Sequence, residues 1–251
     1  MQSNRTVTDE LRRYLELQRD IGGDEVIFDA PVDVRAALGR QSAGTGPASS
    51  EQRAATPAPM MSPQAPTWVS LEEIAEIVRG CTKCPLCTTR THAVPGEGNP
   101  SARLMLVGEG PGESEDLSGR PFVGRAGELL TKMLAAIQVP REEAYIANVV
   151  KCRPPKNRVP LPDEQAACLP YLRAQIALVR PKVLLALGGT ASLALLGVKS
   201  SLGALRLREH DWNGTPLIVT YHPAALLRNP DWKRPAWDDL RLVRQLLDRD
   251  T

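Results

Sequence analysis

The chain has 251 residues, 42% of them apolar and 4% aromatic, with a formal net charge of +2. That supports one full hydrophobic core plus an appendage, and so small a charge does not by itself argue for a nucleic-acid partner. No stretch reaches the roughly 18 apolar residues of a membrane span, and the opening MQSNRTVTDELRR has no apolar run to act as a secretory signal. A cytoplasmic, reducing setting is therefore expected, where the five cysteines would bind metal or do chemistry rather than form disulfides.

In chain order, TVTDELRRYLELQRDIG sets Leu11, Tyr14, Leu15 and Ile21 near helical spacing, which predicts an amphipathic appendage within residues 1–25. Such a helix caps the core or pairs with a partner. Residues 26–68 read as a linker, because 40–67 are rich in Ala, Pro, Ser and Gly with little to bury. A globular domain over 69–251 follows. SLEEIAEIVRGC opens it as a helix, with Ser70 at the N-cap and glutamate three residues later. Strands are predicted over 103–108, 145–150, 182–188 and 216–221, and helices over 125–137, 163–178, 190–196 and 235–248. The strands are continuous apolar runs, as expected when both faces are covered. The fold class is thus α/β: a three-layer α/β/α sandwich on a central, mostly parallel, four-stranded sheet.

Each strand is followed by an unusual segment: GEGPGE (108–113), Asn148 to Cys152, GGT (188–190) and YHPAALLRNP (221–230). Ligands of open α/β sheets bind beyond the carboxyl ends of the strands, so the four segments should share one cleft. GEGPG lacks the ending of a P-loop and the spacing of a dinucleotide fingerprint, and reads either as a phosphate cradle or as a tight turn. Its acids, Glu109, Glu113, Glu115 and Asp116, exceed what a turn needs, and a carboxylate at a strand end can orient a water. His222, fixed in a Tyr-His-Pro run, is the candidate catalytic histidine, whereas His92 and His210 read as surface residues. Lys151, Arg153, Lys156 and Arg158 form a basic run, and Arg228 with Lys233 and Arg234 adds charge near His222. Two basic segments flanking one cleft suit a phosphate backbone.

Cys81-x2-Cys84, then Cys152 and Cys168, offer four thiolates from three regions of the chain. Four thiolates suit zinc or an iron–sulfur cluster, and spacing alone does not choose. CxxCxxC including Cys87 begins like a ferredoxin run but continues TTRTHAV without a fourth cysteine.

Over residues 72–249 the chain resembles the family 4, iron–sulfur uracil-DNA glycosylases. The likeness is carried by CTKCPLC, GEGNP, GEGPGESEDLSGRPFVGRAGELL, NVVKCRPPKNRVP, the E-x3-C-L-P-Y-L stretch and TYHPAALLRNP. It implies a monofunctional, monomeric base-excision repair enzyme that flips uracil out of DNA. It also implies a 4Fe-4S cluster on Cys81, Cys84, Cys152 and Cys168, with Cys87 spare. By the same likeness His222 stabilises the uracil anion at O2, Asn148 reads the base edge, Phe122 stacks on the base and Gly110 lines the water site. Glu109 is the expected water-positioning group, with Glu115 in reserve. Arg153, Lys156 and Arg158 would hold phosphates. Leu226, Leu227, Arg228 and Asn229 would fill the vacated stack from the minor groove. A related covalent trap uses a histidine in the loop after the second strand; CRPPKNRVPLP has none, which implies a turnover enzyme. The N-terminal segment is a candidate for contact with a sliding clamp or another repair protein. The rival readings are a non-catalytic nucleic-acid-binding protein and an iron–sulfur electron carrier.

Overall fold

The computed structural model describes residues 68–249. The N-terminal helix and the linker expected from the sequence lie outside the described residues.

Helix α1 (Leu71–Arg79) begins as its cap chemistry requires: Ser70 Oγ accepts from the Glu73 amide at 3.1 Å. Glu73 reaches back one residue further than a capping box, accepting from the Val69 amide at 2.8 Å. The chain then forms β1 (Glu97–Gly98), β2 (Leu104–Gly108), α2 (Glu113–Ser118), α3 (Arg125–Ala136), β3 (Tyr145–Asn148), α4 (Pro162–Val179) and β4 (Val183–Leu187). It continues through α5 (Gly189–Leu196), α6 (Leu202–Leu205), β5 (His210–Trp212), β6 (Thr215–Thr220), α7 (Pro223–Arg228) and α8 (Lys233–Asp248).

The sheet has six strands in the order β1-β3-β2-β4-β6-β5, two more than the sequence predicts. The four expected strands form its parallel centre, in registers such as Gly108 opposite Asn148 and Leu187 opposite Thr220. The additions are antiparallel edges, β1 on β3 and β5 on β6. Their sequences, EG and HDW, have no apolar run to signal a strand. Gly98 shows why β1 can pair at all. It has φ of +128°, and a Cβ there would stand 2.0 Å from the Ala144 carbonyl oxygen.

Alternation along the central strands divides the core between two faces. Leu104, Leu106, Leu185, Leu187 and Ile218 pack against α3, α7 and α8. Met105, Val107, Ala147, Leu184, Ala186 and Val219 face α4 and α5. Helix α1 rests on α4 through Ile74, Val78 and Tyr171, where Trp68 stacks on the Tyr171 ring at 5.1 Å. Both faces of the sheet are therefore covered, which gives the three layers and explains the unbroken apolar runs. Among the described residues no helix is long and apolar enough to cross a membrane.

From β2 the chain moves to β3 on one side and then, through α4, to β4 on the other. This reversal opens a crevice at the carboxyl ends of the central strands.

Candidate active site and cysteine cavity

The crevice is a cleft of about 360 Å³, lined by Glu109, Gly110 and Gly112 after β2, Asn148 at the end of β3, Gly188 to Thr190 after β4, and His222 after β6. Phe122, Glu115, Asn157, Arg158 and Arg228 complete its walls. The four segments singled out in the sequence do converge.

Asn148 ends a strand buried along its whole length and is itself 1% exposed, yet its Oδ1 has no hydrogen-bond partner. Buried amide oxygens are nearly always satisfied, and leaving one unmet costs about 1–3 kcal/mol. An unmet acceptor in the wall of a cleft awaits a donor from a ligand. Beside Asn148, Phe122 is 6% exposed, with its ring centroid 5.5 Å from that of His222. Its backbone is left-handed, φ 51°, which is costly for a bulky side chain. Two features hold it there. Glu115 Oε1 accepts from the Val123 and Gly124 amides, both at 2.9 Å, while its Oε2 accepts from the Gly112 amide at 3.1 Å. At Gly127 a Cβ would lie 1.8 Å from the Phe122 carbonyl oxygen, so only glycine fits. Glu115 therefore ties two cleft loops together, and both of its carboxylate oxygens are engaged.

His222 caps α7: its Nδ1 accepts from the Ala224 amide at 3.2 Å. That bond leaves the proton of the neutral ring on Nε2. Burial, aided by the Arg228 guanidinium and opposed by Glu115, pushes the imidazole down to about 4, so the ring is neutral at physiological pH. Glu109 accepts a short hydrogen bond from the Thr190 hydroxyl, which fixes its carboxylate at the mouth of β2. Sequence reading missed Thr190; its only signal was the GGT following β4.

The basic and wedge segments divide more sharply. Lys156 is exposed, and Lys156 and Asn157 both hold left-handed backbones with φ of 55°. Arg153 donates to Asn157 Oδ1 at 2.8 Å and pairs with Glu113 at 3.6 Å. Arg158 reaches the cleft, but its guanidinium is bound at 2.8 and 2.6 Å to both oxygens of Glu164, which is 3% exposed. That pairing consumes much of the charge assigned to phosphate. Lys151 leaves the basic face altogether: it is 1% exposed, and its Nζ donates to the Asn148 carbonyl and to Gln175. Lys233 is likewise buried. Leu226 is not a wedge, because it is 2% exposed and belongs to the core beneath α3 and α8. Leu227 is partly buried against that core, Arg228 is exposed, and Asn229 donates from its side chain to the Ala225 carbonyl. His210 is not free either; its Nε2 lies 2.7 Å from the Leu205 carbonyl oxygen.

Cys81, Cys84, Cys87, Cys152 and Cys168 all line a second, much tighter cavity of about 10 Å³. Arg90 Nη1 donates to Cys152 Sγ at 3.0 Å, Tyr171 lies 3.3 Å from Cys81 Sγ, and Lys83 and Lys151 also line the space. Among the described residues no carboxylate lines it. Burial pushes the Cys168 thiol up to about 11 and raises Cys84 and Cys152, so a metal bound by these thiolates would displace their protons. Among the described residues no group of three or more His, Cys, Asp or Glu side chains converges to hold a single metal ion. A soft, all-thiol donor set ringed by lysine and arginine side chains suits an anionic metal–thiolate centre.

A family model described as the uracil DNA glycosylase superfamily matches residues 95–241. The chain is 48% identical over 184 residues to a type-4 uracil-DNA glycosylase of Thermotoga maritima, covering 72% of this chain and 96% of the relative. It is 46% identical over 186 residues to a type-4 uracil-DNA glycosylase of Sulfurisphaera tokodaii, covering 70% and 84%. A type-5 uracil-DNA glycosylase of Thermus thermophilus is more distant, 34% identical over 149 residues, covering 51% and 68%. A cleft at the switch point of a parallel sheet, with these matches running through every segment that lines it, makes the chain a member of the uracil-DNA glycosylase superfamily and, within it, of the type-4 uracil-DNA glycosylases.

Proposed function

We propose that the protein excises uracil from DNA by hydrolysing the bond between the base and deoxyribose, leaving an abasic site that begins base excision repair. The observation that carries this reading is the unpartnered, buried Oδ1 of Asn148 in the wall of the cleft. An acceptor there meets the N3–H of uracil; cytosine carries no hydrogen at N3. The base leaves the duplex to reach it, and the Phe122 ring, 5.5 Å between centroids from His222, supplies the flat apolar face on which it stacks.

The chemistry breaks N1–C1′ and adds the oxygen of one water to C1′. Electrons leave with the base, so the departing group is the uracil anion and the sugar takes on oxocarbenium character. His222, neutral with its proton on Nε2, donates to the carbonyl oxygen where that charge collects, and gives up no proton itself. Glu109, aligned by Thr190, orients the water on the sugar face. The proton released by the water restores neutrality to free uracil. Among the described residues no lysine lines the cleft, and the reaction ends at the abasic site without a Schiff base. Lys156, Arg153 and Arg228 remain the phosphate contacts. Leu227, Arg228 and Asn229 remain the segment that faces the vacated stack.

A 4Fe-4S cluster on Cys81, Cys84, Cys152 and Cys168 would act structurally, tying the segment after α1 to the loop after β3 and to α4. Thiolate ligands suit a reducing cytoplasm. The N-terminal segment would contact a sliding clamp or another repair protein.

The test is alkali-revealed cleavage of a labelled oligonucleotide carrying one uracil, with thymine in its place as control. Cleavage at uracil alone is expected. Folded, brown protein that cuts neither single- nor double-stranded substrate would favour the non-catalytic binding reading.

A further inference from the structure

Lys151 has no place in the mechanism above. The chain turns inward after β3, and the side chain ends in the interior, between the cysteine cavity it lines and the last residue of the strand. Its Nζ donates to the Asn148 carbonyl at 2.9 Å and to Gln175 Oε1 at 2.6 Å. Gln175 is 0% exposed and is itself anchored, donating to the Pro95 carbonyl at 2.7 Å and to the Tyr145 hydroxyl at 3.3 Å. The Val94 amide donates to the Lys151 carbonyl at 2.7 Å, pinning its backbone as well. Burying an amine costs several kcal/mol by general estimates; besides lining the cysteine cavity, this one spends two of its donors on the Asn148 carbonyl and on Gln175. The carbonyl it caps belongs to the residue whose side chain carries the one buried, unmet acceptor among the described residues.

We infer that Lys151, braced by Gln175, is a positioning residue for base recognition: it locks the Asn148 backbone so that the side-chain amide meets the base edge at a fixed angle. This rests on the uracil-excision reading. The strut reaches Asn148 from behind, on the side away from the cleft, so its loss leaves the phosphate contacts and the water-positioning group in place.

Two variants test it, Lys151→Met, which keeps length and removes the donors, and Gln175→Leu, which keeps Lys151 and removes its brace. Each is compared with the parent for inhibition by free uracil, affinity for an oligonucleotide without uracil, single-turnover excision and visible absorption. A displacement of about 1 Å at a reacting geometry costs on the order of 100-fold, so weakening of free-uracil binding by roughly 10- to 100-fold is expected, with a parallel fall in excision rate. DNA affinity and the visible spectrum should hold. A purely structural role would lower the active fraction without changing the uracil inhibition constant of the molecules that remain folded. Variants that fold and bind free uracil as the parent does would overturn the inference while leaving the excision reading intact. A parent that neither excises nor binds uracil would overturn both. If Lys151→Met does not fold, Gln175→Leu decides.

Discussion

Glu115 offers the sharpest test, because sequence reading made it a reserve water-positioning group while the structure makes it a clamp. Its carboxylate accepts three backbone N–H bonds, two from the loop carrying Phe122 and one from Gly112. Bonds to a charged acceptor contribute about 1.5–3 kcal/mol each where water is excluded; this site is half-buried, so water recovers part of that. Glu115→Gln keeps one oxygen for the Val123 and Gly124 amides but turns an NH2 group toward Gly112. It should cost about 2 kcal/mol, and Glu115→Ala about 3–5 kcal/mol. The functional loss follows from Phe122, which keeps its left-handed backbone only while the loop is held. Stacking of an aromatic on a base is worth about 1–3 kcal/mol, so freeing the ring predicts a loss of roughly 5- to 150-fold in excision. Thermal unfolding followed by circular dichroism, with single-turnover excision measured across pH, reads both effects. The clamp predicts a lowered Tm, a reduced rate and an unchanged pH profile. A Glu115→Gln variant with the parent's Tm and a loss beyond about 1,000-fold, on the scale of a removed catalytic group, would refute it.

His222 should stay neutral down to about pH 4, so this group should give excision no acid limb between 6.5 and 4, checked by NMR titration of the ring beside the rate profile. The unfolded chain, with histidine at its ordinary 6.5, takes up a proton that the native ring excludes; stability is therefore lost as pH falls through that same window. His222→Ala should keep colour and DNA binding while losing most excision, and undiminished excision would sink the leaving-group role. Leu226→Ala should destabilise the protein by about 2–5 kcal/mol in chemical unfolding, whereas Leu227→Ala should change stability little and strand separation more. Cys168→Ser should abolish the visible absorption and Cys87→Ser retain it; the opposite result would reassign the spare thiol.

What the sequence disclosed depended on whether a residue's type also settled its direction. The parallel strands were legible because a run such as VLLAL has no polar side to expose and must be covered on both faces. The edges β1 and β5 were not, since two or three residues carry no periodicity. His222 was found from its place in a Tyr-His-Pro run after a strand, Phe122 and the role of Asn148 through motif likeness, and the structure supplies what both lack: a tautomer, a strained backbone and an unmet oxygen. Lys151 and Leu226 show the limit. Each sits in a segment read as facing the cleft or the DNA, and only the turn after β3 and the short helix α7 reveal that these two point inward. A single helical turn puts Leu226 in the core while leaving Arg228 open. Glu164, as a partner for Arg158, was equally hidden, because nothing in the local pattern marks a helix-terminal acid as the neutraliser of a charge six residues earlier.

The left-handed residues Phe122 and Asn157 both line the cleft. Loops held in such conformations have surrendered their freedom when the chain folds, so a base arriving between them meets walls that need no ordering. On the proposed reaction, the slow and selective event then passes to the nucleic acid, to how often a nucleotide swings free of its neighbours. Uracil opposite guanine, or beside weakly stacked steps, should be removed sooner than uracil in a stiff, well-paired tract. The ranking of lesions would be written in the mechanics of the DNA rather than in the contacts of the pocket.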